Sequence, residues 1–142
     1  MKHLELKTLV IVVASVVLYG IFDAAKDTLA HHFTISVFSD LNSTFWDANN
    51  SWCNKWKNCE VGKEAFWGAS TIFSAATDGW HLMKFFTLKI FLIFPAFVLT
   101  IVTTINHKFW NKDAVKFVGA YFGLMITQAL VFNLFYHYIF LK

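Results

Sequence analysis

Long apolar runs separated by short polar stretches organise this chain. A bilayer core of about 30 Å requires roughly 20 helical residues, and three runs approach that length, at residues 8–22, 85–105 and 114–141. The pattern predicts an all-α integral membrane protein with three transmembrane helices and a long, partly helical extramembrane segment. Within a single membrane domain, the spans are expected at about residues 6–28, 82–105 and 114–141, and the extramembrane segment at about 29–81.

Composition agrees with this class and excludes two others. Apolar residues fill 57% of the 142 positions and charged residues 15%, well below the roughly 25% of soluble domains. Few charges and many aromatic rings are also the opposite of a disordered composition. All twelve basic residues are lysines, spread along the chain, whereas a nucleic-acid-binding surface clusters them. We therefore expect membrane lipids as neighbours and no nucleic-acid partner.

The positions of the lysines predict the orientation. Lys2, Lys7, Lys108 and Lys112 flank the predicted spans, and short cytoplasmic segments are the ones enriched in lysine. The first span is expected to be a retained anchor, because no small-residue cleavage site follows it. Three crossings then leave the N-terminus in the cytoplasm and the C-terminus outside. The arginine-free, asparagine-rich usage resembles an AT-rich bacterial or phage genome, so the expected location is a bacterial inner membrane.

The two cysteines, Cys53 and Cys59, bracket five residues of the segment predicted to lie outside. In an oxidising compartment a short disulfide is expected rather than two free thiols. A metal pair is the competing interpretation, although two cysteines without a nearby histidine make a poor zinc site. The bridge would hold a loop that contains Trp46, Trp52 and Trp56, whose rings favour the membrane interface.

Acids and histidines recur at helical spacing on two predicted helices. If the first helix continues past residue 22, one of its faces carries Asp23, Asp27 and His31. Residues 66–77 are predicted to be the helical start of the second span, which would align on one face Ser70, Ser74, Asp78 and His81. Each helix would then bring one Asp–His pair to the outer membrane boundary.

The candidate metal ligands are Asp27, His31, Asp78 and His81. Spacings of three and four residues set an acid and a histidine on one helix wall, as in carboxylate-bridged metal bundles. Two imidazoles and two carboxylates make an open site for zinc, iron, manganese or copper. Ionisable groups at membrane depth are costly, which makes them functional candidates by default.

Two further residues are candidate catalytic groups, and simpler interpretations stay open. Asp23 would be the base of a hydrolytic site, and Ser74 a nucleophile, although hydroxyl residues in membrane helices usually serve packing. Alternatively, Asp27 bonds to His31 on a water-facing helix surface. Asp78 would then cap a helix beginning at the next residue, with the preceding segment separate.

Several short motifs fall between the first two spans. They read F-W-D-x-x-x-S-W at residues 45–52, N-K-W-K at 54–57, F-W-G-x-S-T at 66–71 and T-D-G-W-H at 77–81. With D-x-x-x-H at 27–31, they resemble a group of small polytopic membrane proteins of Bacteroidota-type bacteria. The resemblance covers about residues 20–90 and implies no activity, substrate or cofactor. In ligand type alone, the Asp/His set is also similar to metal sites of membrane oxygenases and membrane metallo-hydrolases.

These features support two functions of different classes. The first is a metal site at the outer membrane boundary that hydrolyses or oxidises a lipid-like substrate, with the metal activating water. The second is a non-enzymatic accessory subunit, which docks a larger membrane complex or another copy of itself through its Trp-rich loop and polar helix face. Aromatic side chains are common anchors of such interfaces.

Overall fold

The computed structural model describes the backbone of residues 2–88 and 113–142, and the side chains of residues 10–88 and 121–142. In these ranges the chain is helical and contains no strand beyond two isolated bridges, which confirms the all-α class there. In chain order the helices are α1 (Lys2–His31), α2 (Ser43–Trp46), α3 (Ala48–Ser51), α4 (residues 79–88) and α5 (Asp113–Leu134). The last of them continues as a π-helix at Phe135–Phe140. Residues 32–78, between α1 and α4, are called the connecting segment.

Helices α1 and α5 pack closely and run parallel. A Cβ atom at Gly20 would lie only 2.9 Å from Cγ1 of Val131, so the missing side chain lets the two backbones approach. One turn further along α1, Ala24 and Ala25 are buried against Phe140. Because the contacts advance in the same direction on both helices, α1 and α5 point the same way.

Helix α4 runs in the opposite direction against α1. The ring of Phe86 stacks on that of Phe22 with centroids 4.9 Å apart, while Met83, one turn earlier in α4, packs against the cluster of Ala24, Ala25 and Phe140. The start of α4 therefore faces the C-terminal end of α1, which is where the Asp–His pairs were predicted to meet.

The C-terminus is held beside the start of the connecting segment. The amide of Val37 donates to the carbonyl of Phe140 at 2.8 Å, and that of Lys142 to the carbonyl of Ile35 at 2.9 Å. The other end of α1 is remote, because 30 residues at 1.5 Å each make a helix of about 45 Å. That length exceeds the roughly 30 Å of a bilayer core.

One helix in the described part of the chain, over Tyr121–Phe140, is long and apolar enough to cross a membrane. It falls within the third predicted span. Most of the second predicted span, at residues 82–105, lies outside the described residues, as do Lys108 and Lys112. The described residues thus support a membrane helix, and the three-span arrangement stays a prediction.

The prediction that residues 66–77 begin one long helix is wrong. They form turns and the 3₁₀ turn Ser74–Ala76, and α4 begins only at residue 79. The cause is local: Glu64 accepts the backbone N–H groups of Gly68, at 2.9 Å, and Ser70, at 3.0 Å. Gly68 also adopts a φ of +77°, which favours glycine and closes a turn. The two serines at positions 70 and 74 therefore do not extend a helical face into α4.

The disulfide between Cys53 and Cys59 is confirmed, with Cα atoms 4.8 Å apart. It closes a loop at whose end Asn58 and Cys59 adopt positive φ angles. A β-bridge joins Trp56, which lies within this loop, to Glu64, which follows it. The disulfide and the bridge fix the course of the chain from the cavity-lining residue Trp52 to the turn at residues 68–73.

Candidate functional site

A cavity of about 550 Å³ lies between α1, α3 and the start of α4. Its lining includes all four residues predicted as metal ligands: Asp27, His31, Asp78 and His81. The rest of the lining consists of Lys26, Ala30, Ala48, Trp52 and Trp80. The volume is within the range of roughly 300–1,000 Å³ that small-molecule sites occupy. The structure thus brings together the two Asp–His pairs that the helical spacing predicted.

The pair on the α4 side is tightly bonded. Asp78 is 1% exposed, and its Oδ1 accepts the backbone N–H of His81 at 2.8 Å, the bond of a helix N-cap. Its Oδ2 lies 2.6 Å from Nδ1 of the His81 ring and 3.2 Å from the hydroxyl oxygen of Thr77. The interpretation of Asp78 as the cap of a separate helix is therefore confirmed. The cap also orients the histidine.

These bonds determine which nitrogen of His81 is available. An ionised carboxylate only accepts hydrogen bonds, so Nδ1 carries the ring proton when the imidazole is neutral. The lone pair then resides on Nε2, which has no hydrogen-bond partner among the described residues. A histidine held in this way is suited to accept a proton, or to bind a metal, through Nε2.

A bracing residue holds this pair in place from the connecting segment. The amide of Asn54 donates to the carbonyl of Thr44 at 2.6 Å and to that of Thr77 at 2.9 Å. Thr77 directly precedes Asp78 in the chain, and its own hydroxyl donates to the carbonyl of Ser74 at 2.7 Å. The asparagine of the N-K-W-K motif thus fixes the residue that precedes the cap.

The glycine of the T-D-G-W-H motif has a steric role. A Cβ at Gly79 would lie 2.4 Å from Cε3 of Trp46, so only glycine lets that indole pack on the first residue of α4. The next residue after Trp46 is Asp47, whose Oδ1 accepts the amide of Asn49 at 3.0 Å and caps α3. The F-W-D motif therefore places α3, and with it Ala48, at the cavity.

The turn that leads towards α4 depends on Glu64. Hydrogen bonds from the Ser70 hydroxyl and from the backbone amides of Ser70 and Gly68 hold the pKa of the Glu64 carboxyl below its usual value of 4.5. The carboxylate is thus the partner that these three donors share, and it replaces the helical hydrogen bonds that the segment lacks.

The pair on the α1 side is held differently. Asp27 has a side chain that is 37% exposed, and its Oδ1 lies 3.4 Å from Nζ of Lys26. The same ammonium group contacts Oδ1 of Asp23 at 2.5 Å. His31 is exposed, and within the described part of the chain no hydrogen bond joins it to Asp27. The interpretation of this pair as bonded to each other is therefore wrong.

Besides the alanines Ala30 and Ala48, three larger cavity residues were not predicted as site residues: Lys26, Trp52 and Trp80. Lys26 contacts both Asp23 and Asp27 on α1. Its position between these two acids in the sequence is the signal that could have identified it. Trp52 directly precedes the disulfide, and Trp80 has Nζ of Lys84 4.8 Å from its ring centroid. Both tryptophans stand in the sequence motifs, but only the structure shows that they line the cavity.

The two candidate catalytic residues lie outside the cavity lining. Asp23 is engaged by Lys26, and Ser74 belongs to the separate 3₁₀ turn before α4. Among the described residues, no three side chains of histidine, cysteine, aspartate or glutamate lie close enough together to hold a metal ion. The arrangement in place is a bonded Asp78–His81 pair that faces a looser group on α1.

No match to this chain is found among protein-family models, curated proteins or solved structures.

Proposed function

We propose that the cavity is a hydrolytic site at a membrane boundary, where His81 activates water against an ester bond of a lipid-like substrate. The observation that carries the proposal is the buried Asp78 carboxylate, 2.6 Å from Nδ1 of a histidine that lines a cavity of about 550 Å³. A buried carboxylate that fixes the tautomer of a histidine is the arrangement by which proteins make Nε2 a general base.

The reaction follows from this arrangement. Nε2 of His81 removes a proton from water while the water oxygen forms a bond to the ester carbonyl carbon. Asp78 stabilises the positive charge that develops on the ring. When the tetrahedral intermediate collapses, the ester C–O bond breaks and the proton on Nε2 passes to the leaving oxygen, which gives a carboxylic acid and an alcohol. Lys26 places an ammonium group at the cavity wall, where it favours the oxyanion of the intermediate.

In this proposal the base is His81 in place of Asp23. Asp23 does not line the cavity, and its carboxylate already accepts a hydrogen bond from Lys26. Its role is then to hold the ammonium group of Lys26, which lines the site. No nucleophilic serine is required, because water is the attacking group.

Fluorogenic fatty-acyl esters offered to the purified protein in detergent test this proposal. We expect His81→Gln to lower kcat by about 100-fold or more, the usual contribution of a general base. The matched variant His31→Gln should lose less than about tenfold, because that ring has no orienting carboxylate. Circular dichroism checks that both variants are folded. A native protein that hydrolyses none of the esters, or a fully active His81→Gln variant, contradicts the proposal.

A metal-dependent site is the second candidate, supported by the observation that all four predicted ligands line one cavity. Asp27, His31 and Nε2 of His81 would hold zinc, iron, manganese or copper after a side-chain rearrangement. Asp78 would then support His81 from behind, as carboxylates do behind metal-bound histidines. A Lewis-acidic metal would supply an activated water, and a redox metal would suit oxidation of the substrate.

Metal analysis separates the two candidates. Stoichiometric metal in the purified protein, lost in both His31→Ala and His81→Ala, supports the metal site. Ester hydrolysis that persists after chelation, in a protein without stoichiometric metal, supports His81 as the base.

We further propose that the chain crosses a bacterial inner membrane three times, with spans at about residues 6–28, 82–105 and 114–141. The N-terminus would be cytoplasmic and the C-terminus outside. Support comes from helix directions: α1 and α5 run parallel and α4 runs against them, as three consecutive crossings require. Alkaline phosphatase fused after Lys142 should be active, and fused at residues 106–113 inactive. The reverse pattern contradicts the orientation.

A further inference from the structure

Four large apolar side chains are exposed at one end of the connecting segment. Phe66 is 47% exposed, Trp67 78%, Ile72 65% and Phe73 46%. They are called the apolar tip. Single exposed apolar residues are ordinary on protein surfaces, whereas a group within eight consecutive residues marks a contact surface.

The apolar tip is built as a fixed shape. Phe73 donates its backbone N–H to the carbonyl of Gly68 at 2.9 Å, and Glu64 holds the backbone N–H groups of Gly68 and Ser70. The rings of Trp67 and Phe73 lie 5.9 Å apart, centroid to centroid. Because these bonds already fix the turn, the exposed rings do not need a partner to order them.

The charges next to the apolar tip are basic. Backbone hydrogen bonds pair Ala65 with Lys55 and Lys57 with Lys63, so the disulfide loop and the chain entering the tip lie side by side. Glu60 pairs with Lys63, and the Glu64 carboxylate is engaged by the turn. In the described part of the chain, Lys55 and Lys57 have no ion-pair partner.

We propose that the apolar tip inserts into the lipid–water interface of the membrane, with Lys55 and Lys57 against lipid phosphate groups. Tryptophan and phenylalanine beside unpaired lysines are the side chains that favour this depth. The same chain carries the membrane-type helix Tyr121–Phe140, which supports a bilayer as the apolar partner of the tip. The tip joins α4 through only a few residues, which would hold the cavity at the membrane surface. The inference rests on membrane association and not on the chemistry of His81.

Quenching of tryptophan fluorescence tests the insertion, with the full chain in phosphatidylcholine vesicles. The contribution of Trp67 is the difference between the native protein and Trp67→Phe; Trp56→Phe, in the disulfide loop, is the matched control. Acyl-chain-brominated phosphatidylcholine should quench the Trp67 contribution strongly and aqueous acrylamide weakly. Bromolipid should quench the Trp56 contribution less than that of Trp67, because its neighbours Lys55 and Lys57 would lie at the level of the phosphate groups. Adding phosphatidylglycerol should deepen the bromolipid quenching of Trp67, and Lys55→Gln with Lys57→Gln should abolish that increase.

Two outcomes overturn the proposal. If acrylamide quenches the Trp67 contribution and bromolipid does not, the apolar tip projects into water. If neither reagent quenches it, protein covers the tip, which in a purified sample means a second copy of this chain. Failure of ester hydrolysis has no bearing on either result, so the two proposals can fail separately.

Discussion

Helix α1 and the start of α4 each bring one aspartate and one histidine to the cavity, and the two pairs are held in different ways. Asp78 precedes α4, where the first amides have no helical partner, so its carboxylate bonds both the backbone and the ring of His81. Asp27 lies inside α1, where the backbone amides are already bonded. Its carboxylate contacts Lys26 instead, and His31 is exposed. The same residue types thus give a buried, hydrogen-bonded pair on one wall and a more exposed pair, whose aspartate contacts Lys26, on the other.

Replacing each of the two aspartates should give the largest difference in stability between the two sides of the cavity. Asp78→Ala breaks a buried cap and leaves His81 without its acceptor, so we expect the free energy of unfolding in detergent to fall by about 3 kcal/mol. The Tm should fall by roughly 6–12 °C. Asp27→Ala should cost less than about 1 kcal/mol, because its ion pair is partly solvated. Thermal unfolding followed by circular dichroism measures both, and equal losses would contradict the comparison.

The α4 wall has a brace that the α1 wall lacks. Asn54→Ala removes the donors to the carbonyls of Thr44 and Thr77, and we expect a loss of about 1–2 kcal/mol in the free energy of unfolding. Asn50→Ala is the matched control, since its amide bonds only the nearby Asp47 and should cost less. In the ester assay, Asn54→Ala should lower kcat and leave KM nearly unchanged, because the bonds of Asn54 affect the position of Asp78. An effect on KM alone would show that Asn54 does not position the pair.

The turn that leads to α4 should make the stability of the protein depend on pH, because its central partner is the Glu64 carboxylate. The pKa of Glu64 is lowered in the folded chain, so its contribution is complete above pH of about 4.5, the value of the free side chain. That contribution disappears as the pH falls through the lowered pKa. We therefore expect the Tm difference between the native protein and Glu64→Gln to be largest near pH 7 and to vanish in stronger acid.

The matched variant for this prediction is Glu60→Gln, which removes an exposed partner of Lys63. It should give a small Tm difference at every pH. A Glu64→Gln difference that does not change with pH would show that the carboxylate is not what holds the turn.

The smallest effect is expected next to the cavity-lining Trp52. Ser51 is fully buried, and its hydroxyl has no hydrogen-bond partner among the described residues. Ser51→Ala removes a desolvated polar group and should leave the stability unchanged or raise it by up to about 1 kcal/mol. Ser36 is equally buried, but its hydroxyl donates to Phe33 and accepts from Phe38, so Ser36→Ala should destabilise the protein. A loss in both variants would show that Ser51 has a partner.

The sequence placed the two Asp–His pairs at neighbouring helix ends, and all four residues line one cavity, although no three such side chains among the described residues lie close enough to hold a metal ion. Helical spacing on α1 placed Asp27 and His31 on one face, and α1 continues to His31 as that prediction required. Because α4 runs in the direction opposite to α1, its start, with Asp78 and His81, lies beside the end of α1 that carries Asp27 and His31. Both inferences depend on periodicity and chain direction, which apolar patterns encode well.

The departure of residues 66–77 from a helix could not be predicted in the same way. Small and apolar residues there permit a helix, and the segment departs from one because Glu64 captures amides that follow it. The Glu64 side chain competes with helix formation for these backbone N–H groups. Whether it succeeds depends on local geometry, which the pattern of polar and apolar residues does not encode. The place of Trp52 in the cavity lining likewise could not be read from composition.

The most direct test of the account is the tautomer of His81, measured by long-range ¹H–¹⁵N NMR on histidine-labelled protein at neutral pH. We expect His81 to carry its proton on Nδ1 in the native protein, and Asp78→Asn to move part or all of it to Nε2. His31 should show the mixture of an exposed ring in both samples. A proton on Nε2 of His81 in the native protein, unchanged by Asp78→Asn, would contradict the claim that Asp78 orients a catalytic histidine.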